Sequence, residues 1–234
     1  MTVLLAVGLA AVSFLVSATA GLGGSLVLVP AMSLLLGPKE GVALSSLLLA
    51  CHNVAKVVVY RRTIPLKSAG AVLVLTVIGA AAGASLMRAA PEHWVGAAVV
   101  AGVAAAFLLE RIGRYRIRRG PALVCSLFSG ALSGFSGTSG PLKGLALRSL
   151  ALDRLHLVGA ASAVSLAGDV TKSAIFLEGS LLSERSWAVV LWTIPLMPLA
   201  ALTGRLLSRR MGEVGYAMLF WAVMAGYSAR LLFR

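Results

Sequence analysis

The chain has 234 residues, of which 59% are hydrophobic and only 12% are charged, and its formal net charge is +13 at pH 7. A soluble domain carries about 25% charged residues, so this composition excludes an ordinary soluble globular protein. The apolar excess recurs along the whole chain, which predicts an all-α polytopic membrane protein. The Lys and Arg residues lie between the apolar runs and form no continuous basic face, so we expect no nucleic-acid partner.

Eight apolar runs follow one another, and a spanning helix needs about 20 residues. Six of the runs have the length of one helix each: 41–60, 68–88, 93–109, 155–177, 187–207 and 214–229. The other two, 3–36 and 121–152, are too long for one helix, and glycine-rich stretches interrupt them at 21–24 and 134–144. No Lys or Arg precedes the signal-peptide-like "SATA" before Gly21, so we expect 1–20 to remain in the membrane domain.

The two long runs belong to an internal repeat with an offset of 116 residues. At this offset the following pairs coincide: Gly21 and Gly137, Gly24 and Gly140, Ser46 and Ser162, Asn53 and Asp169, Lys56 and Lys172. We therefore predict two homologous four-segment repeats, 1–115 and 116–234, with about eight membrane segments in one integral membrane domain. The first segment of each repeat is expected to be broken at its glycine-rich stretch.

The distribution of Lys and Arg between the two sides of the membrane indicates how the repeats are oriented. If the two long runs are hairpins, the repeats are inverted, and 13 basic residues lie inside against 5 outside. If all eight runs span the membrane, the repeats are parallel, and 11 basic residues lie inside against 7 outside. The positive-inside rule favours the inverted arrangement, and the parallel arrangement of four plus four segments remains the alternative.

The glycine-rich stretches predict breaks in membrane helices. "GFSGTSGPLKG", residues 134–144, contains four glycines and a proline, whereas a helix-packing face needs only small residues spaced by four. A break at membrane depth lines a cavity or lies buried in protein, and its freed N–H groups suit an anion. Paired breaks in matching halves indicate a transporter site. The candidate substrate-binding residues from the breaks are Gly23, Gly24, Ser25, Gly137, Thr138, Ser139 and Gly140, together with Lys143.

Two further runs carry polar stripes. Ionisable groups at this depth cost about 2.5–3.5 kcal/mol even on insertion scales, so they usually face a cavity or a partner. Residues three and seven apart share a helix face, which adds Ser46, Asn53, Lys56, Ser162 and Lys172 to the candidate substrate-binding residues. Asp169 and His52 are candidates for proton coupling. Snorkelling remains the alternative for Lys56 and Lys172, and simple packing remains the alternative for His52.

These motifs resemble the TauE/SafE family, the sulfite exporter or 4-toluene sulfonate uptake permease family. The resemblance rests on Gly21 to Pro30, on "GVALSSLLLA" with the basic turn "YRRTIPLKSAG", and on the recurrence "GAASAVSLAGDVTKSAIFLEGSLL". It covers almost the entire chain and implies a duplicated transporter of small sulfur-containing anions such as sulfite, sulfoacetate, thiosulfate and organosulfonates. Ser25, Thr138 and Ser139 stand where the family typically has glycine.

The expected function is secondary transport of a small anion, above all a sulfur oxyanion or organosulfonate, with proton coupling as one option and the site at the repeat interface. One alternative is a rhomboid-like intramembrane serine protease that uses "GTSG", 137–140, and another is a channel or assembly subunit. No nucleotide-binding loop is present, and without paired His or Cys ligands we expect no metal or other cofactor. The expected partners are a small anionic substrate and the lipid bilayer of a bacterial inner membrane, with a homodimer left open.

Overall fold

The structure, a computed structural model, describes residues 2–20, 23–112, 119–138 and 140–210. These residues form ten α-helices and one 3-10 turn (Arg61–Thr63), and they contain no strand. The helices are α1 (Thr2–Ala20), α2 (Gly24–Leu36), α3 (Pro38–Tyr60), α4 (Leu66–Ala89), α5 (Glu92–Ile112), α6 (Arg119–Ser136), α7 (Gly140–Arg148), α8 (Arg154–Glu178), α9 (Glu184–Thr193) and α10 (Leu196–Arg210). The all-helical prediction is confirmed for this part of the chain, and the run predicted at 214–229 lies outside it.

Length and composition identify the membrane-spanning candidates among the described helices. Two qualify alone, namely α3 with its 3-10 turn (Pro38–Thr63) and α4. The pair α9 and α10 forms a third candidate, but it is bent by 47° at the break between the two helices. The apolar pattern predicts one helix over 187–207, and that prediction is wrong because Pro195 lacks the N–H that a continuous helix needs.

The chain reverses direction at the first glycine-rich stretch. α1 ends at Ala20 and α2 begins at Gly24, after Gly23 in the left-handed conformation with φ of 101°. Such a φ is easily adopted only by glycine. The Ser13 hydroxyl donates a 2.7 Å hydrogen bond to the Gly24 carbonyl, which a continuous helix would place about 16 Å away. α2 therefore folds back against α1, and the two helices form a hairpin.

A second left-handed glycine ends α6. Gly137 has φ of 74°, and α7 begins three residues later at Gly140. A Cβ at Gly137 would lie 2.8 Å from Cγ2 of Val29 and 3.3 Å from Cγ1 of Val42. Both the backbone conformation and the lack of space require glycine here. The predicted interruption is therefore present, but it is shorter than the expected 134–144, because 134–136 belong to α6 and 140–144 belong to α7. Val29 of α2 and Val42 of α3 pack against it.

α3 and α8 run antiparallel and pack along their length. Gly159, near the start of α8, lies against the carbonyl of Thr63, whereas Glu40, at the start of α3, accepts a 3.0 Å hydrogen bond from the Ser183 N–H beyond the end of α8. Asn53 lies about 15 Å along the helix from the Thr63 end and about 20 Å from the Glu40 end. Asn53 therefore lies near the middle of the α3–α8 helix pair.

Glycines bring α4 and α6 into backbone contact. A Cβ at Gly79 or Gly83 would overlap the backbone of α6 at Leu127 or Ala131, and a Cβ at Gly130 or Gly134 would overlap the backbone of α4. Each helix thus places a small-xxx-small pair in the crossing, which is the usual way for membrane helices to approach closely. The contacts advance in the same direction along both helices, so α4 and α6 are parallel.

Candidate functional site

Asn53 and Asp169 meet in the middle of the α3–α8 contact. The Asn53 amide donates a 2.7 Å hydrogen bond to Oδ2 of Asp169, and Lys172 Nζ lies 2.9 Å from Oδ1 of the same carboxylate. Asn53 is 2% exposed and Asp169 is 5% exposed. Both carboxylate oxygens are therefore engaged, while the Asn53 carbonyl oxygen has no hydrogen-bond partner in the described part of the chain.

Each of three buried lysines donates a hydrogen bond to a serine hydroxyl. Lys172 Nζ lies 2.9 Å from the Ser133 hydroxyl, and Lys143 Nζ lies 3.1 Å from the Ser165 hydroxyl. Lys56 Nζ lies 3.1 Å from the Ser17 hydroxyl. The Lys56–Ser17 pair and the Lys172–Ser133 pair are related residue by residue through the offset of 116. The same local arrangement therefore occurs once in each half of the chain.

The three serines open onto one cavity of about 20 Å³. A cavity needs about 10–15 Å³ on this measure to hold one water molecule, so the space admits a water but no larger solute without expansion. It lies between the two helix breaks and the α3–α8 contact. The described residues that line it are Ser17, Gly23, Gly24, Ser25, Leu49, Asn53, Ser133, Lys143, Ser165 and Asp169.

The charges that the described residues bury around the cavity do not balance. Among the described residues the buried charged side chains are Lys56, Lys143, Lys172 and Asp169, so their formal sum is +2 with all four ionised. Lys143 also lies in the first turn of α7, where the helix dipole adds positive partial charge. An excess of buried positive charge is costly unless an anion compensates it. The cavity is therefore suited to a negative ligand.

The structure brings only some of the predicted site residues to the cavity wall. Six of them line it: Gly23, Gly24, Ser25, Asn53, Lys143 and Asp169. Lys56 and Lys172 are fully buried and reach the wall through their serine partners. The hydroxyls of Ser46 and Ser162 donate to carbonyls of their own helices, each at 2.7 Å, and neither residue lines the cavity.

Gly137 and Thr138 of the second break do not line the cavity, although Lys143 of the same stretch does. Gly137 packs on Val29, and the Thr138 hydroxyl lies 3.0 Å from the Ser136 hydroxyl. Gly140 begins α7, and Ser139 lies outside the described residues. Gly137 and Thr138 follow α6 and Gly140 begins α7, so these three residues belong to the break that precedes Lys143.

His52 lies apart from the cavity. Its ring stacks on Phe14 with 4.7 Å between centroids and 20° between planes. The backbone of Phe14 and Met197 is close by, yet neither ring nitrogen makes a hydrogen bond of standard geometry to the described residues. The aromatic contact supports the packing alternative for His52.

Reasoning from the sequence missed Ser17, Ser133 and Ser165 as cavity residues. The first two carry a signal that was available, because the offset of 116 that pairs the lysines also pairs Ser17 with Ser133. Ser165 has leucine, not serine, at the equivalent position 49, but its helical spacing is a signal, since it lies four residues before Asp169 and seven before Lys172. Its contact with Lys143 could not be read from the sequence, because it joins α7 to α8.

Residues 4–231 match the family model described as Sulfite exporter TauE/SafE. Searches of curated proteins and of solved structures found no match. The family consists of multi-pass membrane transporters and not of enzymes, so the serine protease alternative falls away. Because the match covers nearly the whole chain and agrees with its apolar helices and buried polar cavity, the chain belongs to the TauE/SafE family of membrane transporters.

Proposed function

We propose that the chain is a secondary transporter of a small anion, a sulfur oxyanion or an organosulfonate, that binds in the cavity between the two helix breaks and the α3–α8 contact. The observation that carries the proposal is the excess of buried positive charge, in which Lys56, Lys143 and Lys172 outnumber Asp169, the single buried carboxylate among the described residues. Membership of the TauE/SafE family supports the substrate class. An anion that enters this cavity gains charge-assisted hydrogen bonds and offsets the excess of lysine over carboxylate among the described buried residues.

The same proposal includes two inverted repeats, 1–115 and 116–234. Its support is the pairing of equivalent residues, since Asn53 contacts Asp169 and both Lys–Ser pairs recur at the offset of 116. The antiparallel course of α3 and α8 about this contact fits a two-fold axis in the membrane plane. The hairpin of α1 and α2 adds support, because the inverted arrangement requires hairpins in the long runs.

The size of the cavity favours a carrier over an open channel. With about 20 Å³ of space the cavity has to expand before an oxyanion fits, and a carrier expands it from one side at a time. Asp169 is the proposed proton-coupling residue because it is the one carboxylate that the described residues contribute to the cavity wall. His52 is a weaker candidate for this role because it lies away from the cavity.

Counterflow in proteoliposomes tests the proposal. Vesicles preloaded with unlabelled sulfite, thiosulfate or sulfoacetate are diluted into a trace of the same labelled anion, and transient accumulation is measured. We expect accumulation with at least one of these anions and none with labelled choline, a small organic cation. Absence of accumulation with all sulfur oxyanions and sulfonates, in vesicles that contain folded protein, would reject the proposed substrate class.

A further inference from the structure

We propose that three lysine-polarised serines, Ser17, Ser133 and Ser165, are the hydroxyl donors that bind the SO3 group of the substrate. This inference rests on the proposed function and deepens it by assigning the contacts that select the anion. In this arrangement Lys56 and Lys172 do not contact the ligand directly. Each acts through the serine hydroxyl to which it donates a hydrogen bond.

The hydrogen bonds around these serines set the direction of their hydroxyl protons. A serine hydroxyl has one proton to donate and two lone pairs to accept with. In each of the three cases the lysine ammonium uses a lone pair, with Nζ–Oγ distances of 2.9 to 3.1 Å. The three protons have no acceptor among the described residues, and all three serines line the same cavity. The protons are therefore available to a ligand in that cavity.

Three other buried hydroxyls on α3, α6 and α8 donate to their own helices and do not line the cavity. Ser46, Ser162 and Ser126 each donate to the carbonyl four residues earlier in their own helix, at 2.7 to 2.8 Å. This local bond is the usual one for serine inside a helix. Ser17, Ser133 and Ser165 therefore differ from these hydroxyls, because each accepts a hydrogen bond from a lysine and does not donate to a carbonyl of its own helix.

The chemistry of the ligand follows from the number and charge of the donors. Three donors from three different helices (α1, α6 and α8) match an anion with three oxygen acceptors on one centre. Each lysine withdraws electron density from its serine oxygen, which strengthens the hydroxyl as a donor to an anion. The carboxylate of Asp169 in the wall is already engaged by Asn53 and Lys172, so its repulsion of the ligand is reduced. Sulfite and the head group of a sulfonate share this SO3 geometry.

Substitution of each serine, with a matched control, tests the inference. Ser17→Ala, Ser133→Ala and Ser165→Ala are compared with Ser126→Ala, a control on α6 two helical turns from Ser133. We measure the KM and maximal rate of labelled sulfite uptake in proteoliposomes, and sulfite binding to purified protein by calorimetry. Each cavity variant is expected to raise KM and the dissociation constant about tenfold or more, since a hydrogen bond to a charged group is lost. Ser126→Ala should leave both constants within about twofold of wild type.

Two additional arms make the result decisive. Ser165→Thr keeps a hydroxyl and is expected to restore affinity to within about threefold of wild type, which a purely structural role of Ser165 does not predict. The same binding measurement is repeated with methanesulfonate in place of sulfite. Binding of methanesulfonate indicates that the site accepts a sulfonate head group, and binding of sulfite alone indicates that it accepts only the free oxyanion. Wild-type transport with unchanged KM in all three alanine variants would overturn the serine assignment while leaving the proposed function intact. Absence of sulfite and sulfonate binding to the wild type would overturn both.

Discussion

Asn53 on α3 and Asp169 on α8 share a 2.7 Å hydrogen bond although 116 residues separate them in the chain. The same interval separates Lys56 from Lys172 and Ser17 from Ser133. One half of the site thus carries an amide where the other carries a carboxylate, within an otherwise repeated Lys–Ser arrangement.

The first prediction concerns this difference. Asp169→Asn removes the carboxylate that pairs with Lys172 at 2.9 Å, and we expect uptake driven by an imposed pH gradient to fall by about tenfold or more. The double variant Asn53→Asp/Asp169→Asn places the carboxylate on α3, one turn before Lys56, and should recover a substantial part of the uptake. Wild-type uptake in Asp169→Asn, measured in proteoliposomes with equal protein content, would remove Asp169 from the coupling mechanism.

The glycine crossing of α4 and α6 gives a stability prediction. A Cβ at Gly79 would overlap the carbonyl oxygen of Leu127, and a backbone atom cannot rotate away, so Gly79→Ala should cost about 1–3 kcal/mol. Gly70, on the same helix, has open space where a Cβ would be added, with nothing within 4 Å of that position. Gly70→Ala is therefore the matched control and should be neutral or stabilise by up to about 1 kcal/mol. Thermal unfolding in detergent measures both, and equal melting temperatures would contradict the close crossing.

The orientation of the repeats is tested by labelling from either side of the membrane. In a chain with Cys51→Ala and Cys125→Ala, single cysteines are placed by Leu150→Cys and by Ser183→Cys, at the two ends of α8. The inverted arrangement predicts that an impermeant maleimide on intact cells labels position 183 and reaches position 150 only after permeabilisation. The opposite pattern would favour the parallel arrangement.

Asp153 gives a prediction about pH. It caps the start of α8 by accepting a 3.0 Å hydrogen bond from the His156 N–H, and this bond, with the His156 side chain next, lowers the pKa of Asp153 below its usual 3.8. Because the pKa is lowered on folding, the stabilisation is fully present above about pH 4 and is lost as the pH falls through the lowered value. Asp153→Ala should lower the melting temperature at pH 7 and flatten its dependence below pH 4. Asp153→Asn retains an N-cap acceptor, so a loss at pH 7 as large as that of alanine would contradict the capping role.

The helices and the breaks were predictable from the sequence because they depend on local properties. The length of an apolar run predicts a helix, and a cluster of glycines predicts a break in it. The run at 41–60 corresponds to α3, and the interruptions at 21–24 and 134–144 contain the left-handed glycines Gly23 and Gly137. Apolar length does not predict the bend between α9 and α10, although Pro195 is a visible signal within that run. Proline alone does not decide the matter, because Pro30 lies inside the continuous helix α2.

The hydrogen-bonding role of each polar residue was harder to predict. Ser46 and Ser17 are both serines on membrane helices, yet the first donates to its own helix and the second accepts from Lys56. This difference depends on how the helices pack against one another, which the local sequence does not determine. The repeat offset identifies equivalent positions, but it does not indicate which of them face the cavity.

The central claim is that positive charge at the cavity binds a small anion for transport, and Lys143 tests it most directly because its side chain lines the cavity. The measurement is the initial rate of labelled sulfite counterflow in proteoliposomes containing Lys143→Gln, with the exposed Lys67→Gln as control. We predict a rate at least about tenfold below wild type for Lys143→Gln and a wild-type rate for Lys67→Gln. Wild-type counterflow by Lys143→Gln, with unchanged KM, would contradict the account.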